Sequence, residues 1–219
     1  MAVTGNLGLA LRNIQSGLTA NQVALNTTAN NVSNVHTEGY SRKDVQFEQR
    51  ILSGVGAGVQ VAQLTRTVDE NLLKSLRLEL SRLSSVEVQG SYYSRTQDLF
   101  GAPADDASLS HTIGRFAAAL ESLALQPQNS LEQREVVRWA NEIALQLQHS
   151  SATVQDLRLQ ADGEIAQVVD RINLLLSDVA ELNDQIVRAA ATGSDATDLK
   201  DQRDVGLDQL AELIDIRVF

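Results

Sequence analysis

Between Leu131 and Ala189 one pattern runs without a proline. Val137, Ala140, Ala144, Leu147, Ser151, Val154, Arg158, Ala161, Ile165, Val168, Ile172, Leu175, Val179, Leu182, Ile186 and Ala189 recur at steps of three and four. Such steps place them all on one face of a helix. A single helix of about 60 residues spans ~90 Å, longer than an ordinary globular domain uses. The chain is therefore predicted to build a rod-like helical bundle. Ser151 and Arg158 are flaws in the seam, and Gly163 lies nearby; here the helix can bend or change partner. Composition agrees: 43% of the 219 residues are hydrophobic but only 4% are aromatic, and the only prolines are Pro103 and Pro127. A core of Leu, Val, Ile and Ala suits helix packing better than a β-sandwich.

The rest of the chain reads as shorter elements. Leu7, Leu11, Ile14, Leu18, Leu25 and Val32 form a seam that seeks a partner helix, and they predict a first helix over about residues 6–33. Asn21 and Thr28 interrupt that seam. An isolated helix of this kind is marginal in water until a partner buries its stripe. Residues 1–35 are thus expected to order on assembly and to be disordered or loosely helical in the free monomer. Around residues 40–66, Val45 and Phe47 alternate with polar neighbours, as do Val59 and Val61. Gly54, Gly56 and Gly58 lie between them, which predicts two short strands or extended arms about a glycine turn. Helix resumes from Val68 to about Phe100, with Leu73, Leu76, Leu80 and Leu83 on one face, and Gly101-Ala102-Pro103 breaks it. A further helix starts near Ser108, with Leu109, Ile113, Phe116, Leu120 and Leu123 in register, and ends at Pro127. After a loop at Thr192-Gly193-Ser194-Asp195, a last helix begins near Asp198 and carries Val205, Leu210, Leu213 and Ile214. Ile216, Val218 and Phe219 then alternate as a strand does.

The segment 16–42, SGLTANQVALNTTANNVSNVHTEGYSR, passes from amphipathic helix to polar turn. Asn30, Asn31, Ser33 and Asn34 carry side chains that compete for backbone hydrogen bonds. Gly39 supplies a permissive backbone position before Tyr40. Ser16, Gly17, Leu18, Ala20, Leu25, Asn30, Asn31, Thr37, Gly39 and Tyr40 together resemble the N-terminal signature of the flagellar rod, hook and hook-associated proteins. The ending Gly39-Tyr40-Ser41-Arg42 is most similar to the branch that joins hook to filament. So is Asp198-Leu199-Lys200-Asp201-Gln202-Arg203-Asp204, although Lys200 replaces an apolar residue expected before Asp201. The resemblance covers essentially the whole chain. It matches only the N-terminal portion of such proteins, which continue into β-rich outer domains and a C-terminal helix that pairs with the N-terminal one.

The resemblance implies a mainly α fold: a long-helix bundle with an N-terminal coiled-coil-type helix and a short extended or β arm. Residues 1–39 would be an inner-tube domain, 40–66 connecting arms, 67–215 the helical bundle, and 216–219 the start of a β-rich region. It implies a structural subunit of the hook–filament junction, assembled as a ring of identical copies. The hook protein would lie on one side and the next hook-associated protein on the other. Export would use the flagellar apparatus and channel without a cleaved signal peptide, to the outside of the cell. No cofactor is implied. The expected interface comprises Leu7, Leu11, Ile14, Leu18, Leu25, Asn30, Asn31, Val32, Gly39 and Tyr40. A hook or rod subunit shares the N-terminal signature, and a soluble coiled-coil adaptor or export chaperone would share the helices and acidity. A truncated junction protein without function is the remaining alternative.

Composition and spacing argue against other classes. The net charge is −10, with no Lys/Arg stripe, which disfavours nucleic acid. No apolar run is long enough to span a membrane, and residues 1–15 lack a secretory pattern. The chain has no cysteine, so disulfides and thiolate chemistry are excluded. His36, His111 and His149 have no neighbours at ligand spacing. Asp195, Asp198, Asp201, Asp204 and Asp208 lack the alternation of a calcium loop and read as helix-start carboxylates. Gly54, Gly56 and Gly58 read as a turn rather than a phosphate loop, and no hydrolase or zinc-protease motif occurs, so no enzyme is expected. Trp139 and Phe116 sit among aliphatic residues and read as core more than as interface anchors. Tyr40 either staples its own turn or packs between subunits.

Overall fold

A computed structural model describes residues 3–52, 54–101 and 105–218, with side chains from Leu7 onward. Among them are five helices and one two-stranded antiparallel sheet. In chain order these are α1 (Val3–Ser33), β1 (Lys43–Leu52), β2 (Val55–Arg66), α2 (Glu70–Asp98), α3 (Leu109–Leu125), α4 (Ser130–Thr192) and α5 (Thr197–Leu213). The fold is mainly α, as expected. The chain divides into two compact units, one of residues 1–81 with 172–219 and the other of residues 82–171.

The helix ends follow from local chemistry. Asp69 Oδ1 accepts from the amides of Asn71 and Leu72, at 3.0 and 3.1 Å, and starts α2. Ser108 Oγ accepts from His111 N at 3.2 Å and caps α3, while Asn129 Oδ1 accepts from Leu131 N at 2.9 Å and starts α4. α4 is one uninterrupted helix of 63 residues through Ser151, Arg158 and Gly163. It stops where Gly193 takes φ 67°. There Ser194 N donates to Ala189 O at 2.9 Å and Gly193 N to Ala190 O at 3.2 Å, the paired bonds of a Schellman ending. Asp195 Oδ1 accepts from Thr197 N at 3.0 Å and opens α5.

The hairpin differs in detail from the sequence reading. β1 and β2 have 10 and 12 residues, and Leu52 pairs with Val55, so the strands run close up to the connection between them. Gly54, at φ 81°, belongs to the turn, whereas Gly56 and Gly58 lie inside β2. Register shifts between Gln46 and Phe47, and between Gln49 and Ile51, break the simple alternation of β1. Ile216 and Val218 lie in a segment without regular structure, and Phe219 falls outside the described residues, as do Ala102 and Pro103.

In the first unit, α1 lies on the hairpin through its small residues. Ala20 and Thr27 of α1 and Ala57 of β2 are buried. Val59 N donates to Ser16 Oγ at 3.2 Å. A Cβ at Gly58 would collide with Ser16 Oγ and stand 3.3 Å from Asn13 Cα, so glycine permits this approach. α5 packs on the last turns of α4, where a Cβ at Gly206 would stand 3.2 Å from Val179 Cγ2. Leu175, Leu210 and Ala211 are the buried apolar residues of α4 and α5 in this unit. In the second unit, Thr112 and Ala119 of α3 are buried, and Phe116 and Trp139 are half-buried. The guanidinium of Arg138 stands 4.2 Å and that of Arg115 5.5 Å from the Trp139 ring, which gives this ring a polar setting that sequence did not suggest.

Candidate functional site

The Asn30-Asn31 pair separates into two roles. Asn30 is exposed near the end of α1. Asn31 turns toward the hairpin and pairs with the backbone of Lys43 as a neighbouring strand would. Its Nδ2 donates to Lys43 O at 2.8 Å, and its Oδ1 accepts from Lys43 N at 3.0 Å. The same oxygen accepts from Tyr40 OH at 2.9 Å. One carboxamide thus joins the last turns of α1, the turn and the first residue of β1. Tyr40 staples its own turn within a single chain. Burial, and secondarily the Asp201 carboxylate, raises its phenol above the usual tyrosine range.

Gly39 has φ 75°, and a Cβ there would collide with Val205 Cγ2 of α5. The turn is therefore seated on α5, and Ser41 N donates to Asp201 Oδ2 at 3.3 Å. Asn34 Nδ2 bonds Asn30 O at 3.0 Å, and Thr37 Oγ1 bonds Asn34 Oδ1 at 3.1 Å, which shape the chain between.

Around this turn lies a row of ion pairs, buried at its centre and open at Asp198, whose side chain is exposed. Asp198, Asp201, Asp204 and Asp208 project from one side of α5. Lys43 of β1 pairs with Asp198, and its Nζ is 3.7 Å from Asp201 Oδ2. Arg66, the last residue of β2, pairs with Asp204, and its Nε is 3.2 Å from Asp201 Oδ1 without hydrogen-bond alignment. Arg77 of α2 bonds Asp208 Oδ1 at 2.6 Å and lies 3.4 Å from Asp204 Oδ1. Lys43, Arg77 and Asp201 retain only 6%, 4% and 6% of their accessible surface, so these groups leave water when the unit forms. The sequence reading of these aspartates as helix-start carboxylates holds for Asp198, which lies in the first turn of α5, and for Asp195, which accepts from Thr197 N just before it. It is corrected for Asp201, Asp204 and Asp208, which lie further along and meet cations from distant elements. Sequence reasoning missed Lys43, Arg66 and Arg77 entirely. The available signal was the one-sided spacing of the aspartates on a helix.

The expected interface residues fall on two faces. Asn31, Gly39 and Tyr40 are brought together in the turn. Leu7, Leu11, Ile14, Leu18, Leu25 and Val32 keep 75, 68, 70, 69, 70 and 69% of their surface. They lie on the side of α1 away from the hairpin: Leu18 is two residues from Ser16 and Ala20, about 200° around the helix. An open cleft between α1 and β1 carries Val32, Val35 and Phe47 on its wall, beside this stripe. Among the described residues no cluster of three His, Asp or Glu could hold a metal. None of the helices among them is long and apolar enough to cross a membrane.

The fold and the site are thus those of a mainly α chain in which a docked turn lies beside a first helix with an uncovered apolar face. Residues 11–40 match the family described as Flagella basal body rod protein, a stretch that covers α1 from Leu11 to its end and the turn. Residues 93–219, more than half of the chain, match the Flagellar hook-associated protein FlgK helical domain, and the chain belongs to that family. Flagellar hook-associated protein 1 of Bacillus subtilis is 27% identical over 222 residues, covering 96% of this chain and 44% of the relative. The proteins of that name from Escherichia coli and Salmonella typhimurium are 27% identical over 215 residues, covering 95% of this chain and 39% and 38% of their own lengths. The chain spans less than half the length of these relatives.

Proposed function

We propose that the chain is a structural subunit of the bacterial flagellum at the junction of hook and filament, packed as a ring of copies through the exposed stripe of α1. The observation that carries this reading is the stripe itself. Leu11, Ile14, Leu18, Leu25 and Val32 stay at 68–70% exposure while the opposite face of the same helix is docked. Fully burying an aliphatic side chain contributes about 1.5–3 kcal/mol, so a partner helix on this face would be strongly held. Residues 1–39 are the inner-tube segment, 40–66 the arms and 67–215 the helical bundle. The role is mechanical, with no cofactor and no substrate. The hook protein lies on one side and the next hook-associated protein on the other, and the export apparatus delivers the chain outside the cell. The match to rod proteins at residues 11–40 supports a hook or rod subunit as the second reading.

The test is microscopy of a strain lacking this gene, with flagellin measured in the medium. Hooks without filaments, with flagellin released, are expected. The full gene should restore filaments, and the same gene carrying Leu18→Asp and Leu25→Asp should not. Absent hooks would move the protein to the hook or rod, and normal filaments would refute the junction role.

A further inference from the structure

We infer that the aspartate row of α5 is a registration rack: its ion pairs, buried at Lys43, Arg66, Arg77 and Asp201, set the one position in which the Gly39–Arg66 segment sits on α5 and so fix where that segment holds α1. Three features of the first unit support this. First, the pairing is staggered. Lys43 spans Asp198 and Asp201, Arg66 spans Asp201 and Asp204, and Arg77 spans Asp204 and Asp208. Three cations from outside α5 fill every rung of the four carboxylates only in this alignment, and Arg203 of α5 itself adds a contact of 3.7 Å to Asp204 in any alignment.

Second, a slip of one turn is penalised in both directions. Toward the C-terminus, Arg77 would pass from Asp204 and Asp208 to Asp208 and Ala211, and Asp198 would be abandoned. Toward the N-terminus, Lys43 would draw on Asp195, whose two carboxylate oxygens are already bonded to Thr197 N and Thr197 Oγ1 at 3.0 and 2.9 Å. That slip would release Asp208 and cost α5 its start.

Third, apolar packing around the turn is too sparse to set the alignment. The turn meets α5 where the Val205 side chain rests on Gly39, a one-residue apolar contact beside a row of ion pairs about three turns long. Buried ion pairs recover little net stability because desolvation offsets their attraction, and their best-attested use is to fix registry. The rack stands apart from the junction reading, since every group in it belongs to one chain.

The chain has no native cysteine, so two spin labels can be placed without background, at Gln22→Cys on α1 and Glu212→Cys on α5, both exposed. The wild-type unit should give one narrow distance distribution. Arg66→Met with Asp201→Leu and Asp204→Leu removes the central rungs, leaves Lys43 on Asp198 and Arg77 on Asp208, and releases Arg203 to its contact with Asn183. It should keep its helical circular dichroism while the distances spread into populations separated by one helical turn, ~5 Å. Arg66→Lys, which keeps the charge, should remain narrow. A milder variant, Arg77→Leu with Asp208→Leu, removes one end rung and should widen the distribution partially. An unchanged narrow distribution in either apolar variant would overturn the rack. So would loss of folding in the milder one, because the pairs would then carry stability rather than alignment.

Discussion

Asn31→Ala is the most discriminating substitution in this chain. It deletes three hydrogen bonds at once, to Lys43 N, Lys43 O and Tyr40 OH, and leaves the two Lys43 groups without their partner. At ~1 kcal/mol net for each bond the loss is ~3 kcal/mol. Alanine is the better helix former and returns ~0.6 kcal/mol, since Asn31 lies within α1. The net cost should be about 2.5 kcal/mol, or nearly a hundredfold in the opening equilibrium of the turn. Hydrogen–deuterium exchange of peptides from β1 reads this directly, and the variant should exchange faster by about that factor where opening limits exchange. Asn30→Ala is the control. Its side chain is exposed and makes no hydrogen bond among the described residues, so its exchange should match the wild type or slow slightly. Equal effects at the two positions would refute the division of labour in the Asn-Asn pair, and so would a change of less than threefold at Asn31.

Other outcomes follow from the same geometry. Gly39→Ala combines a left-handed backbone with a collision at Val205 and should destabilise the first unit by at least ~2 kcal/mol in urea unfolding. Adding Val205→Ala should recover only the steric part, and full recovery would contradict the strain. The Asp44 carboxyl is held below its usual range, first by the hydroxyl of Thr67 and also by Arg42. Its contribution should be present above the unfolded carboxylate pKa and fade as pH falls through the depressed value. In an NMR titration Thr67→Ala should move the midpoint upward, and an unmoved midpoint would discount that bond. Tyr40 titrates above ordinary tyrosine, so its bonded phenol is neutral at pH 7, and its stabilisation is lost only as pH rises through the raised value. Asp201→Asn should lower that alkaline midpoint in ultraviolet titration; a rise would reverse the assigned sign.

The legible parts of this fold are those governed by near neighbours. The step of three and four across residues 131–189 gave one helix, because each position needs only its own turn to declare a face. Asp69, Ser108, Asn129 and Gly193 fixed the helix ends by bonds reaching no more than five residues. The crowd of polar side chains before Gly39-Tyr40 marked the turn for the same reason. Alternation in β1 was a weaker guide, since register shifts at Phe47 and Ile51 depend on the partner strand.

What only the tertiary structure decided is which groups meet across the chain. Lys43 and Asp198 are 155 residues apart and Arg77 and Asp208 are 131 apart, and no local pattern links a cation to its carboxylate over such distances. The sequence showed an aspartate at every turn of α5, but a carboxylate at a helix start looks the same whether it faces water or a buried arginine. It likewise showed that α1 has an apolar stripe. Only folding revealed that the small residues opposite that stripe hold the hairpin, leaving the leucines uncovered. Periodicity fixes the faces of a helix, because it is set by the backbone repeat. Occupancy of each face depends on which other surface arrives there, and that is a property of the folded chain.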